Sequence, residues 1–381
     1  MGKSKQRRSH EQYEDYWKIT AQWTDIYGQN FFNALRIIIN YIDANKSELE
    51  ALDDGFEDSE LYNNLQEKMV TAFDFKGDIA DAKITARKGI NQFVKLGFVY
   101  PMLKGYHPLA KKFINTTNKE EKQIIFSKIF YENSSFASGV TVDNRRLNHM
   151  GFLLRTLDKN KQLSDNDIQA LMYTDIELYP KGYMTREELD SQFRASEADD
   201  FIDRKYNQKG HLISFLKKFI DLKVSSDSKK IYFADDPDIV EDEYDGKYHC
   251  DPIKLRIHRQ ELIEESVRLY GDAICYLEKK PYKGLRDSHI KAKQECVDEG
   301  KEELAYDVNN ALLLSPNTDQ YFDKHDISFD DQGNILIGKN VDATVRVELE
   351  KMHLDKKVLN DERKRFLEYH RRLFLEKNGE Q

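Results

Sequence analysis

Leu285 to Leu336 reads LRDSHIKAKQECVDEGKEELAYDVNNALLLSPNTDQYFDKHDISFDDQGNIL, and the rest of the chain is best read outward from it. One histidine, His289, sits at the end of a short run, Ser288-His289-Ile290. The pair Asn309-Asn310 then opens another apolar run, Ala311-Leu312-Leu313-Leu314. Asp319 and Asp323 follow. They are one helical turn apart, so on a helix both carboxylates leave one face and can share a cation. ISFDDQGNILI (327–337) reads as a hairpin that closes the stretch.

Hydrolysis of a phosphodiester needs a base to deprotonate water. It also needs a cation to neutralise charge growing on the phosphate and on the departing oxygen. The ordered set of His289, Asn310, Asp319, Asp323 and the closing hairpin resembles the HNH, or ββα-metal, nuclease module. That resemblance implies His289 as the general base at the end of the first hairpin strand. It implies Asn310 as the residue that fixes the hairpin backbone, and a metal held from the following helix. Hard oxygen donors favour Mg²⁺ or Mn²⁺ over zinc. Two positions depart from the commonest pattern. Ser288 stands where many such enzymes place a ligating Asp or His, which leaves Ser288 or its neighbour Asp287 as the third ligand. Asp319 stands where the last ligand is often His. Subfamilies with Ser-His-Ile followed by Leu-Leu-Ser and Asp-x-x-Phe-Asp look like this sequence. A lone histidine or an aspartate pair is commonly a surface or capping feature, whereas the ordered set is far more specific. His325 reads as a loop histidine. Glu278-Lys279-Lys280 imitates half of another nuclease motif, but its partner would be Asp272, too close, or Asp238, too far.

The totals set the frame. With 381 residues the chain has room for two or three domains, and 33% charged with 39% hydrophobic residues is a globular balance. No run approaches a membrane span, and MGKSKQRRSH has no apolar stretch after it, unlike a signal peptide. Cys250, Cys275 and Cys296 are too few and irregular for a disulfide framework, and no CxxC offers a zinc staple. A cytoplasmic protein without membrane contact is expected. A net charge of -9 argues against general coating of nucleic acid but leaves room for local basic faces.

Such a face is predicted at Ile84 to Ile114, which carries Arg87, Lys88, Lys95, Lys104, Lys111 and Lys112 and no acid. Ile90, Phe93 and Val94 form an apolar stripe, while Arg87, Asn91 and Lys95 recur on another face. Gly97 marks the helix end, and Phe98-Val99-Tyr100 reads as a strand before a turn at Tyr106-His107-Pro108. Helix, strand and basic turn are similar to the second half of a winged helix, with Arg87, Lys88, Asn91, Lys95 and Lys104 as DNA contacts. An amphipathic helix with a solvated lysine face accounts for the same residues. Before this stretch, 31–42 and 59–73 are amphipathic helices. After it come helices at 119–132 and 145–157, helix starts at Ser164 and Thr185, and a basic, apolar segment at 201–222 that offers a second DNA contact. The tail with Lys3, Lys5, Arg7 and Arg8 reads as solvated. Ser225 to Asp245, rich in Ser and Asp, reads as an acidic linker. His258 to Tyr270 reads as a helix ending at Gly271, and Gly271 to Leu277 as a strand.

Beyond the module, TARKGINQFVKLGFVYPMLKGYHPLAKKFI, DRKYNQKGHL and FLEYHRRLF make the chain resemble HNH-type restriction endonucleases of bacteria. The resemblance implies sequence-specific cleavage of double-stranded DNA by a homodimer, with a cognate DNA methyltransferase encoded nearby. The expected fold is α+β and mostly helical, a winged-helix-like DNA-binding region followed by a ββα-metal nuclease domain. The expected boundaries are 1–79 (helical), 80–224 (DNA recognition), 225–250 (linker), 251–340 (nuclease) and 341–381 (helical extension). Two other readings remain open: an antiphage nuclease that needs a trigger or partner, and a DNA-binding protein with a degenerate HNH fold.

Overall fold

The computed structural model describes residues 16–52, 55–137, 140, 147–225, 229–234 and 251–379. The basic N-terminal tail, Cys250 and the acidic residues 235–245 lie outside them. The chain divides into two compact units, Met1–Ala234 and Asp235–Gln381, taken here one at a time.

The first unit is mostly helical: α1 (Gln29–Ala44), α2 (Lys46–Ala51), α3 (Glu60–Ala72), α4 (Ile79–Lys95), α5 (Ala110–Asn115), α6 (Lys119–Asn133), α7 (His149–Asn160), α8 (Asp165–Met172), α9 (Arg186–Ala198) and α10 (Phe201–Leu216). Side-chain caps set many of the starts. Ser59, Asp78, Asn118 and Asn148 each accept a bond from the first turn of their helix. Ser164 with Asp167, and Thr185 with Glu188, close reciprocal capping boxes. Aromatic rings fill the core, with Phe31 on Phe93 at 4.6 Å and Phe98 on Phe113 at 4.9 Å between centroids.

A small antiparallel sheet completes this unit. β1 (Leu163–Ser164), β2 (Leu222–Val224) and β3 (Lys230–Phe233) lie in the order β1-β3-β2. β3 corrects the expectation of a linker from residue 225. Ile231 and Phe233 are buried while Lys230 and Tyr232 are exposed, so two-residue alternation prevails over the acidic composition around it. The expected strand Phe98–Tyr100 is also corrected. After α4 stops before Gly97 (φ +88°), only one bridge forms, Val99 with Tyr106. Pro101 has no N–H to extend it, and Met102 and Leu103 both take φ 55°, which turns the chain away. A helix followed by a single bridge is all that stands where a wing was expected.

The second unit begins with α11 (Pro252–Tyr270), capped by Asp251 and ended by Gly271 at φ +83°. The expected strand Gly271–Leu277 is absent. The chain doubles back instead, Lys279 N–H bonding Cys275 O at 2.9 Å and Cys275 N–H bonding Lys280 O at 2.9 Å. The antiparallel pair β4 (Arg286–His289) and β5 (Ala311–Leu314) follows, with the connecting loop carrying α12 (Lys293–Asp298). Ser288 faces Leu312 and His289 faces Ala311 in the register. α13 (Pro316–Asp323) then leads into a second hairpin, β6 (Ile327–Phe329) with β7 (Ile335–Ile337). Asp330 Oδ1 tightens its turn by accepting from Gln332 N and Asn334 N, and Gly333 supplies the left-handed residue.

α14 (Ala343–Leu349) and α15 (Asp361–Asn378) are not an appendage. Leu349, Leu354, Val358, Leu359 and Leu367 share one buried cluster with Leu312, Leu313 and Phe322. From α15, buried His370 bonds Ser328 Oγ and Phe322 O, and Arg371 bonds Phe329 O. Arg363, wholly buried, bonds Glu265 of α11 at 2.8 Å and the carbonyls of Val308 and Val358. Tyr276 Oη donates to the same Glu265 carboxylate at 2.8 Å. Removing one partner of a buried pair strands the other charge. Arg363→Met should therefore cost about 3–5 kcal/mol in urea denaturation of the full chain, and adding Glu265→Gln should recover part of that loss.

Candidate active site

β4 sends alternate side chains to opposite sides, and its neighbours show where each goes. Ser288, buried, donates its hydroxyl to Asp319 Oδ1 on α13. Asp287 and His289 turn instead toward α11. There Asp287 Oδ2 lies 3.5 Å from His258 Nδ1, and its Oδ1 lies 3.4 Å from an Arg259 nitrogen. The His258 ring stacks on the His289 ring, 5.0 Å between centroids and 27° between planes.

His289 Nε2 lies 2.9 Å from the Ala305 carbonyl, and Nδ1 lies 3.2 Å from the Asp287 carbonyl. A carbonyl only accepts, and a neutral imidazole carries one N–H, so the shorter contact places the proton on Nε2 and leaves the Nδ1 lone pair basic. Burial pushes the imidazole down to about 4, the charges of His258 and Lys293 adding to it and Asp287 opposing. The ring is therefore neutral at physiological pH.

The carbonyl that meets Nε2 is placed by Asn310, which is wholly buried at the foot of β5. Its Nδ2 donates to Leu304 O at 2.9 Å and to Lys291 O at 3.1 Å. Its Oδ1 accepts from Lys291 N at 2.8 Å. One amide thus ties the chain just beyond His289 to the residue just before Ala305.

α13 carries the acids. Ser315 caps it by accepting from Thr318 N, and Pro316 fills the first position, where no N–H is needed. Asp319 occupies the first turn, where the helix dipole favours a carboxylate. Asp323, one turn on, is pushed up to about 6, first by loss of hydration and then by Asp319, with Lys293 opposing and Asp287 adding. Burial works to raise Asp287 as well, but His258 and Arg259 beside it hold its carboxyl well below the usual carboxylate range.

The HNH endonuclease family matches residues 273–330. This stretch is an HNH endonuclease domain. Comparison with curated proteins and with solved structures gave no match. The domain implies a DNA nuclease with DNA as substrate, within a mostly helical α+β chain. No helix among the described residues is long and apolar enough to cross a membrane.

HNH nucleases typically use a divalent metal ion. Among the described residues no three His, Cys, Asp or Glu side chains are grouped to hold one. The donor set nonetheless fits a hard cation. Two carboxylates one helical turn apart, crowded enough to raise Asp323, would suit Mg²⁺, which keeps several waters and takes further oxygens from phosphate. Of the two candidates for a third ligand, Ser288 has its hydroxyl on Asp319, whereas Asp287 is engaged by α11.

Within the HNH domain Ser288 meets Asp319, with Asp323 one turn further along α13, and the loop that Asn310 holds meets His289. The expected DNA contacts lie in the first unit and divide. Arg87, Lys88 and Lys104 are exposed. Asn91 accepts a bond from Tyr62 Oη at 3.0 Å. Lys95 corrects the expected face, being 5% exposed with its ammonium on Lys18 O at 2.6 Å. Lys111 and Lys112 are paired with Asp43 and Glu121. Sequence reasoning missed His258, Arg259 and the Ala305 carbonyl. A backbone carbonyl has no sequence signature, and His258 lies far from His289 along the chain with no spacing to mark it.

Asp323 yields a pH test. Its carboxyl sits above the ordinary 3.8 in the folded protein, so the fold binds extra protons between 3.8 and about 6. The contribution of Asp323 to stability is therefore fully present below 3.8 and is lost as pH rises through about 6. Asp323→Asn should raise the melting temperature of metal-free protein above that window and change it little below. Mg²⁺ should stabilise the wild type more than the variant, read by calorimetry across the pH series.

Proposed function

We propose that this protein is a sequence-specific, metal-dependent endonuclease of double-stranded DNA, working as a restriction endonuclease. The observation that carries the reading is the His289 ring, neutral and hydrogen-bonded through Nε2 to a carbonyl that Asn310 holds in place. The restriction role rests on the resemblance of the stretches outside the HNH domain, and the exposed Arg87, Lys88 and Lys104 supply cations for phosphate contact.

In this mechanism His289 Nδ1 takes the proton of a water in line with the scissile phosphate. The Ala305 carbonyl accepts from Nε2 throughout, which orients the ring and stabilises the imidazolium as it forms. Asn310 keeps Leu304 and Lys291 in register so that this carbonyl does not drift. Asp319 and Asp323, with the Ser288 hydroxyl beside them, would hold Mg²⁺ or Mn²⁺, which when bound neutralises charge on the phosphate and the leaving 3′ oxygen. The products carry a 5′ phosphate and a 3′ hydroxyl. Cutting both strands calls for two such centres, hence a homodimer, and protection of host DNA calls for a cognate methyltransferase. The enzyme would act in the cytoplasm.

The test is incubation of the purified chain with unmethylated phage DNA and Mg²⁺, beside an EDTA control and His289→Ala. The proposal expects discrete fragments sharing one end sequence, no cutting in EDTA, and a loss of at least about 100-fold in the variant. Random degradation would overturn the restriction role in favour of a non-specific or triggered nuclease. Binding without cleavage under Mg²⁺ or Mn²⁺, on methylated and unmethylated DNA alike, would favour a DNA-binding protein in which Ser288 marks a degenerate site.

A further inference from the structure

α11 lies outside the segment that matches the HNH family, yet its His258 and Arg259 reach Asp287 and His289 of β4. His258 is 1% exposed, and neither of its ring nitrogens has a hydrogen-bond partner among the described residues. An imidazole must carry at least one N–H, so this residue is desolvated with a polar group left unsatisfied. A phenylalanine would fill the same volume without that cost. The polar ring is therefore not explained by packing.

What surrounds it suggests a use. Nδ1 lies 3.5 Å from Asp287 Oδ2, an ion-pair distance too long for a good hydrogen bond, while Arg259 approaches the other oxygen at 3.4 Å. The ring face covers His289 at 5.0 Å. Asp287 and His289 are two apart on one strand, so their side chains share a face. An unrestrained Asp287 carboxylate could swing to the His289 imidazole and bond Nδ1, the nitrogen the mechanism needs free.

We propose that His258 is a positioning residue of the nuclease centre: it draws the Asp287 carboxylate toward α11, away from His289, and fixes the plane of the His289 ring by stacking. This rests on the reading of His289 as the base. With the Asp287 carboxylate drawn away, His289 keeps its proton on Nε2 against Ala305, and Nδ1 meets the Asp287 backbone carbonyl at a longer 3.2 Å, which cannot protonate it. Arg259 assists by holding the second carboxylate oxygen.

Two variants separate the contributions. His258→Phe keeps a ring on His289 but gives Asp287 nothing. His258→Asn restores an amide nitrogen near the Nδ1 position but removes the stack. For His258→Phe the melting temperature should stay close to that of wild type, since an unsatisfied ring nitrogen is lost while Asp287 keeps Arg259 beside it. kcat for Mg²⁺-dependent plasmid nicking should fall about 10-fold or more with KM little changed, and His258→Asn should regain part of that loss. Nitrogen-15 NMR of the histidines in the full chain gives a readout independent of cleavage. Wild-type His289 should show a single tautomer protonated at Nε2, and His258→Phe should shift or broaden it. Unchanged kcat in His258→Phe, or a fall matched by lost stability and lost KM, overturns the proposal. If the wild type cuts no DNA, the nuclease reading fails on its own. The NMR arm then still decides: an unchanged His289 signal in both variants overturns the positioning role, and an altered one sustains it.

Discussion

The side-chain amide of Asn310 is the contact on which the second unit's chemistry depends. Buried without solvent, it can neither lose a partner cheaply nor be replaced by water. Its two donations and one acceptance close a loop that begins just after His289 and ends just before β5. That loop carries α12 and the Ala305 carbonyl, so the geometry at His289 Nε2 follows from Asn310 and not from the loop's own sequence. Lys291, whose backbone Asn310 grips on both sides, is itself tied to Glu299 at 2.5 Å, which braces the loop from its outer side.

The frame around this loop is wider than the segment the HNH family covers. Arg363 reaches from α15 to the Val308 carbonyl, two residues before Asn310, and to Glu265 on α11. Asn360 and Glu362 meet the side chain of Asn309. The C-terminal helix thus presses the asparagine pair against β4, while α11 presses Asp287 and His289 from the other side. Buried ion pairs are costly to form, and this one is justified by the number of backbone carbonyls it satisfies at once. The helices that flank the HNH segment are therefore part of its active conformation.

The site's outline was legible because its parts are local in sequence and differ in kind. A histidine ending one strand, an asparagine opening an apolar run and two acids one helical turn apart each leave a distinct pattern, and the structure puts His289 at the end of β4, Asn310 before β5, and Asp319 and Asp323 on one helix with Ser288 bonded to the first. What was not legible depends on long-range packing. Lys95 looks like an exposed cation by helical spacing, yet Lys18 O draws its ammonium inward. Phe98–Tyr100 has strand propensity, but a proline and two left-handed residues stop the ladder after one bridge. β3 was hidden because charge composition over a long window masks a four-residue alternation. His258 gave no signal because its meaning comes only from the ring it covers.

The most direct test of the account is the single-turnover rate of DNA cleavage by Asn310→Asp at saturating Mg²⁺. The substitution keeps size and the acceptor for Lys291 N, but sets a carboxylate against the Leu304 and Lys291 carbonyls. If Asn310 positions the carbonyl that orients the base, cleavage should drop to the level of an enzyme lacking His289 while Mg²⁺ binding persists. Cleavage at the wild-type rate would contradict the account.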